Sequence, residues 1–145
     1  MNYALDRAIA SAWSALKLDE AIMPLHGEQA KRGEDPAYAI FDLSDPFVEG
    51  HTNSADGSES RRRIMVTVAT FTTYCRGKSD CGKLALRLSK SIEADWLAVL
   101  NGQLADFFGS CISIDYLTDA SELQDDDEWA WMLSYEIRWS MLEAQ

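Results

Sequence analysis

From Trp129 to Trp139 every second residue is large and apolar: Trp129, Trp131, Leu133, Tyr135, Ile137 and Trp139. Between them stand Ala130, Met132, Ser134, Glu136 and Arg138. A strict period of two defines a β-strand with one buried face. Eleven residues at about 3.4 Å each would run on the order of 37 Å, about twice an average strand. Such a strand is expected to reach past the core of its own small domain and to offer three tryptophans to something else.

The rest of the chain supplies what that strand packs against. From Asn2 to Leu18, the residues Leu5, Ile9, Ala12, Trp13 and Leu16 form one helical stripe. Asp19 to Asp35 carries Pro24, Gly27 and Gly33 among charges and reads as a loop. Pro36 opens a strand over Ala37 to Leu43, a position where proline removes no ladder donor. Asp45 to Ser60 is polar, with Pro46, Gly50 and Gly57, and reads as a long exposed loop. Arg61 to Tyr74 is β-branched on this reading and forms a second long strand. Gly77 breaks the chain, and Ser79 or Asp80 is positioned to cap a second helix. Leu84, Leu88, Ile92, Trp96, Val99 and Leu100 trace its stripe, and Asn101-Gly102 is placed to end it. Leu104, Phe107 and Phe108 form a short apolar turn before a third strand, Ser110 to Thr118, and Asp119 to Glu128 is an acidic connection.

These elements predict one α+β domain in the order α–β–β–α–β–β. Its four-stranded, mainly antiparallel sheet carries two helices on one face. The other face is not fully polar, since Arg62, Ile64, Val66, Val68, Ala130 and Met132 fall on it. Apolar surface of that kind marks contacts with other chains.

Charge and cysteine content narrow the partners. The 145 residues are 47% apolar and carry a net charge of −11, which is the balance of a folded acidic domain and opposes binding to nucleic-acid phosphates. An acidic wall still lets DNA slide past without sticking. Three cysteines, Cys75, Cys81 and Cys111, are an odd number with no secretory leader ahead of them, and no apolar run reaches the 18 residues of a membrane span. Synthesis in a reducing cytoplasm with free, packed thiols is the expectation.

No cluster spells out a reaction. With His26 and His51 as the only histidines, the cysteines lack the paired short spacing of a zinc site. Asp125, Asp126, Asp127 and Glu128 lack the spaced pattern of a calcium loop and read as a solvated acidic tip. Gly77-Lys78-Ser79 lacks the upstream glycine of a phosphate loop. A nucleophile–base pairing of Cys75 or Cys111 with His51 and Asp115 has no support in the spacing. The chain is therefore read as neither an enzyme nor a cofactor binder. Arg61, Arg62 and Arg63 form the basic cluster, and on so acidic a chain they are expected to pair with carboxylates.

Taken together, several segments resemble the small tail terminator and tail-completion proteins at the neck of long-tailed bacteriophages. They are the N-terminal helix, Pro36-Ala37-Tyr38-Ala39-Ile40-Phe41, the strand Ile64-Met65-Val66-Thr67-Val68-Ala69-Thr70-Phe71, and Tyr135-Glu136-Ile137-Arg138-Trp139. The resemblance implies an α–β–β–α–β–β virion protein that assembles, after synthesis in the host cytoplasm, into a hexameric ring. Such a ring ends tail polymerisation, joins the tail tube to the head-side connector, and leaves a lumen through which DNA passes unbound. Contacts between copies are then expected at Arg61, Arg62 and Arg63, at Trp129, Trp131 and Trp139, and at Asp125, Asp126 and Asp127. A head-side neck component of the same fold is a second reading. A third is a cytoplasmic acidic adaptor or inhibitor that binds one basic protein.

Overall fold

The computed structural model describes residues 3–15, 25–26, 37–53, 61–125 and 128–142. Its elements are α1 (Tyr3–Ala15), β1 (Leu25–His26), β2 (Ala37–Leu43), β3 (Phe47–Asn53), β4 (Arg61–Arg76), α2 (Lys78–Ser91), α3 (Leu97–Leu104), β5 (Gly109–Asp125) and β6 (Glu128–Leu142). The expected α+β mix and mainly antiparallel sheet are present, with more strands than the expected four. The sheet runs β1-β2-β4-β6-β5, and β3 pairs with β4 beyond the end of β2. Among the described residues, β1 and β2 are the one parallel pair.

The loop expected over Asp45 to Ser60 is a strand in its first half. β2 and β3 form one antiparallel track along β4, offset by a residue at the Ser44–Pro46 break and again at Gly50. Ser44 bridges the break: its N–H donates to the Val68 carbonyl at 2.9 Å, and its hydroxyl oxygen accepts the Val68 N–H at 2.8 Å. A side-chain oxygen thus stands in for the missing ladder carbonyl, beside a proline that has no N–H to give. The polar composition of β3 reflects its place on an edge, where charge and glycine are tolerated. Residues 54–60 lie outside the described residues, as do the expected helix end at Leu18 and most of the Asp19–Asp35 segment.

The acidic connection is also shorter than expected. β5 continues through it, pairing Asp119 with Leu133, Ser121 with Trp131 and Leu123 with Trp129, so only residues 126–127 separate the paired Asp125 and Glu128. The three bulges in this ladder break the period of two that would have revealed a strand.

α2 starts at Lys78 with Gly77 as its cap at φ 83°, and neither Ser79 nor Asp80 caps it. The helix then continues through a π-helical turn, Ile92–Trp96, into α3. Leu88, Ile92, Trp96, Leu100 and Leu104 are all buried at a spacing of four. In a pure α-helix such a row would drift by about 40° per step; the wider π turn takes back that drift and keeps the row on the sheet. Asn101 does not end the helix. Its amide donates to the Leu97 carbonyl at 3.0 Å and its carbonyl oxygen accepts the Cys111 N–H at 2.7 Å, clamping α3 to β5.

The core lies between this helix layer and the odd-numbered residues of β4 and β6. Phe71 meets the Trp96 ring edge-on at 5.3 Å and Tyr135 at 6.3 Å. α1 contributes Ala4, Leu5, Ala8, Ile9 and Ala12, whose small members let it approach α3 closely.

The tryptophan ribbon is the main correction. Trp139 is fully buried inside the subunit, with its indole N–H donating to Thr67 Oγ1 at 3.0 Å, so it has no surface to offer a neighbour. Trp129 and Trp131 remain half-buried at the hairpin end. The Trp129–Trp139 stretch, on the order of 37 Å, does not overrun its core, because α2, the π turn and α3 form a layer of about 40 Å.

Candidate functional site

One face of the sheet bears the helices; among the described residues, no helix packs on the other. That open face presents Ile64, Val66 and Val68 of β4, all half-buried, and the exposed Met132 of β6. Phe47, opposite Val66 in β3, is 68% exposed. Ile64, Val66, Val68 and Phe47 gather at one end of this face, while Met132, opposite Thr72, lies further along the ladder beyond Thr70 and Ser134. A polar lock crosses the face: Arg138 donates to Glu49 through Nε at 2.6 Å and Nη2 at 3.4 Å, and Nη2 also reaches Glu136 at 3.4 Å. These groups are solvated enough that the lock orients β3 on the sheet more than it stabilises the fold.

The two charged clusters sit at opposite ends of the sheet. Arg62 pairs with Leu142 at one end of the β4–β6 ladder and Arg76 with Glu128 at the other, about 48 Å away along the strand. Arg62 and Arg63 therefore cannot reach Glu128 within one subunit. Nor do the arginines form one patch, because consecutive strand residues alternate faces. Arg62 lies on the open face and donates to the Phe108 carbonyl at 3.2 Å, whereas Arg63 points to the helix side. The side chains of Arg61 and Asp125, and all of Asp126 and Asp127, lie outside the described residues.

At the hairpin end, Asp119 ties two aromatic residues together. Its carboxylate accepts the Tyr116 hydroxyl at 2.5 Å and the Trp131 indole N–H at 2.9 Å. Both donors favour the charged form, the tyrosine more strongly, and hold Asp119 below the usual carboxylate range. A depressed folded-state value means the contribution to stability is full above the ordinary value of 3.8 and is lost as pH falls from there through the folded value. Acid titration is therefore expected to release the Trp131 indole N–H below pH 3.8 before the core melts. Its proton resonance, followed by NMR, is the measurement, and an unchanged resonance down to global unfolding contradicts the expectation.

Beside this lock lies an open groove of about 680 Å³, lined by Lys78, Ser79, Gly82, Lys83, Leu86 and Trp131. The Trp131 ring rests on Gly82, where an added Cβ would come within 3.1 Å of it. The alternation placed Trp131 on the apolar face of its strand but carried no sign that it would lie against a glycine on α2.

The cysteines lie packed inside the subunit. Cys75 and Cys81 share a thiol–thiol hydrogen bond, which with burial pushes Cys75 far above the ordinary thiol range. The same bond, helped by Thr73 against the opposing effect of burial, lowers Cys81 to about 7. The Cys81 thiol donates to the Thr73 carbonyl at 3.2 Å and is fully buried, out of reach of a substrate. Burial raises Cys111 to about 12. His51 lies on β3, away from both, and among the described residues no three metal-ligating side chains gather.

Compared with known protein families and with curated proteins, the chain matches none. The fold and its surfaces define a two-layer α+β class, with helices on one side of a long, mainly antiparallel sheet and a partly apolar face on the other. Among the described residues no helix is long and apolar enough to cross a membrane.

Proposed function

We propose that this chain is a structural protein of a phage neck, a ring subunit that closes the tail tube and joins it to the head-side connector. The observation that carries this reading is the one-sided helix layer: among the described residues no helix covers the face that bears Ile64, Val66, Val68, Met132 and Phe47. A face of that composition is stabilised by burial against another protein, at roughly 25 cal/mol per Å² of apolar surface removed from water. The net charge of −11 supports a channel wall that passes DNA without holding it. The separation of basic and acidic ends supports contacts that run from one copy to another rather than within one.

Electron micrographs of the protein incubated with tail tubes are expected to show a ring at the tube end. Met132→Lys, which places a charge on the open face at an exposed position, is expected to prevent ring attachment. Monomer stability should change by no more than about 0.5 kcal/mol. A protein that never associates with tubes contradicts the proposal, and a salt-sensitive one-to-one complex with a basic protein favours the adaptor reading instead.

A further inference from the structure

The end of the sheet where β4 stops and β6 begins holds two of the three cysteines. Thr73 and Cys75 of β4 are buried on the helix side there, and β6 sets Trp131 opposite Thr73 and Trp129 opposite Cys75. Cys81, at the end of the first turn of α2, lowers its sulfur among these four residues. That sulfur lies 3.2 Å from the Thr73 carbonyl oxygen, 3.4 Å from that of Trp129 and 3.6 Å from Thr73 Oγ1. Cys75 and Cys81 pack together as a small cluster apart from the main core, with Leu84, Trp129 and Trp131 against them. Gly77, at φ 83°, makes the turn that brings α2 back over the end of β4, and the Cys81 N–H donates to its carbonyl at 3.1 Å.

The two thiols are chemically unequal. The Cys75 thiol, the Thr73 hydroxyl and the backbone of Cys75 and Trp131 all favour the charged form of Cys81 against the opposing effect of burial. With Cys81 lowered to about 7, about half of it is thiolate at pH 7. The contact with Cys81, then burial, keeps Cys75 protonated far above the ordinary range. One sulfur is thus the nucleophile and its neighbour the thiol that resolves the product. Cys111 stands apart: it pairs with Trp139, ten residues along β6 from Trp129, or about 34 Å.

We propose that Cys75 and Cys81 are an oxidant-sensitive dithiol that closes to an internal disulfide, stapling α2 to β4. With hydrogen peroxide as the oxidant, the Cys81 thiolate attacks one peroxide oxygen. An S–O bond forms, the O–O bond breaks, and the departing hydroxide takes a proton to become water, which leaves a sulfenic acid. Cys75 then attacks that sulfur: the S–S bond forms, the S–O bond breaks, and hydroxide leaves with the Cys75 proton as a second water. Each thiol gives up one electron and the peroxide gains two. A bulky substrate cannot reach either sulfur, since Cys75 is 4% exposed and Cys81 fully buried. Peroxide is close to water in size, and the cover over the pair is the half-buried Trp129 and Trp131 near the strand ends, where local opening costs least.

Thiol counting on the whole chain tests this. The reduced protein is treated with hydrogen peroxide, then denatured in the presence of an alkylating agent. Three thiols are expected before treatment and one afterwards, that of Cys111, with residues 75 and 81 joined in the peptide mass map. Dithiothreitol should restore all three. In Cys75→Ser, a 1,3-diketone probe should capture a sulfenic acid on Cys81, because its resolving partner is gone. Cys81→Ser should slow oxidation of Cys75 by more than about tenfold relative to the parent, since the more acidic thiol is lost. Three thiols retained in the parent, a bond that includes Cys111 or a second chain, or equal reactivity of the remaining thiol in the two serine variants overturns the proposal. The parent's own thiol count decides the matter even where a serine variant folds poorly.

Discussion

Trp139→Ala is expected to destabilise the isolated subunit by about 3–5 kcal/mol, the range for truncating a large buried aromatic residue. Trp139 is completely enclosed, and its indole N–H is bonded to Thr67 Oγ1 at 3.0 Å. Ala69, Phe71, Tyr135 and Ile137 belong to the same tightly packed cluster, which leaves little freedom to collapse into the void. Against the roughly 5–15 kcal/mol that holds a domain folded, the variant stands close to unfolding. Urea denaturation followed by circular dichroism measures the loss, and its dependence on protein concentration identifies its origin. A core residue gives the same loss at every dilution. An interface residue gives a loss that grows with concentration, and that result would return Trp139 to the list of contact residues.

The second large effect belongs to Gly109→Ala. The new methyl would stand 2.9 Å from the Ser140 carbonyl oxygen and 3.4 Å from that of Leu104. Both are backbone atoms, one in β6 and one in the helix layer, so neither can swing aside as a side chain would. Gly109 is also the first residue of β5 and pairs with Met141. The substitution should therefore shift the start of the β5–β6 ladder, at a cost of about 1–3 kcal/mol, as overpacking does elsewhere. A lower urea midpoint with an unchanged slope is the expected result. An unaltered midpoint would mean that the two layers are looser at this corner than their contacts indicate.

These two sites show how far local pattern reaches. The alternation from Trp129 to Trp139 named the buried face of β6 correctly, because side-chain direction along a strand depends on nothing beyond the strand. The row Leu88, Ile92, Trp96 and Leu100 named the buried face of the long helix for the same reason. Pattern failed where the pairing partner sets the structure. β3 has almost nothing to bury and is a strand because β4 offers it a ladder. The far half of β5 is acidic and bulged, and it is a strand because β6 lies beside it. Phe108 read as part of an apolar turn, yet its side chain is 70% exposed.

The surfaces divide in the same way. The apolar set on the open face was legible, because Ile64, Val66, Val68 and Met132 each follow the two-residue period of their own strand. That nothing in the helix layer covers this set is a matter of where the helices pack, which no single segment records. The groove and the exposed Phe108 side chain depend on residues far apart in the chain and set at opposite ends of one helix layer. The sequence alone determined the direction of each side chain within its own element, by repeat geometry. Only the tertiary structure decided which of those directions end in a neighbour and which in open solvent, because that depends on elements the local pattern does not encode.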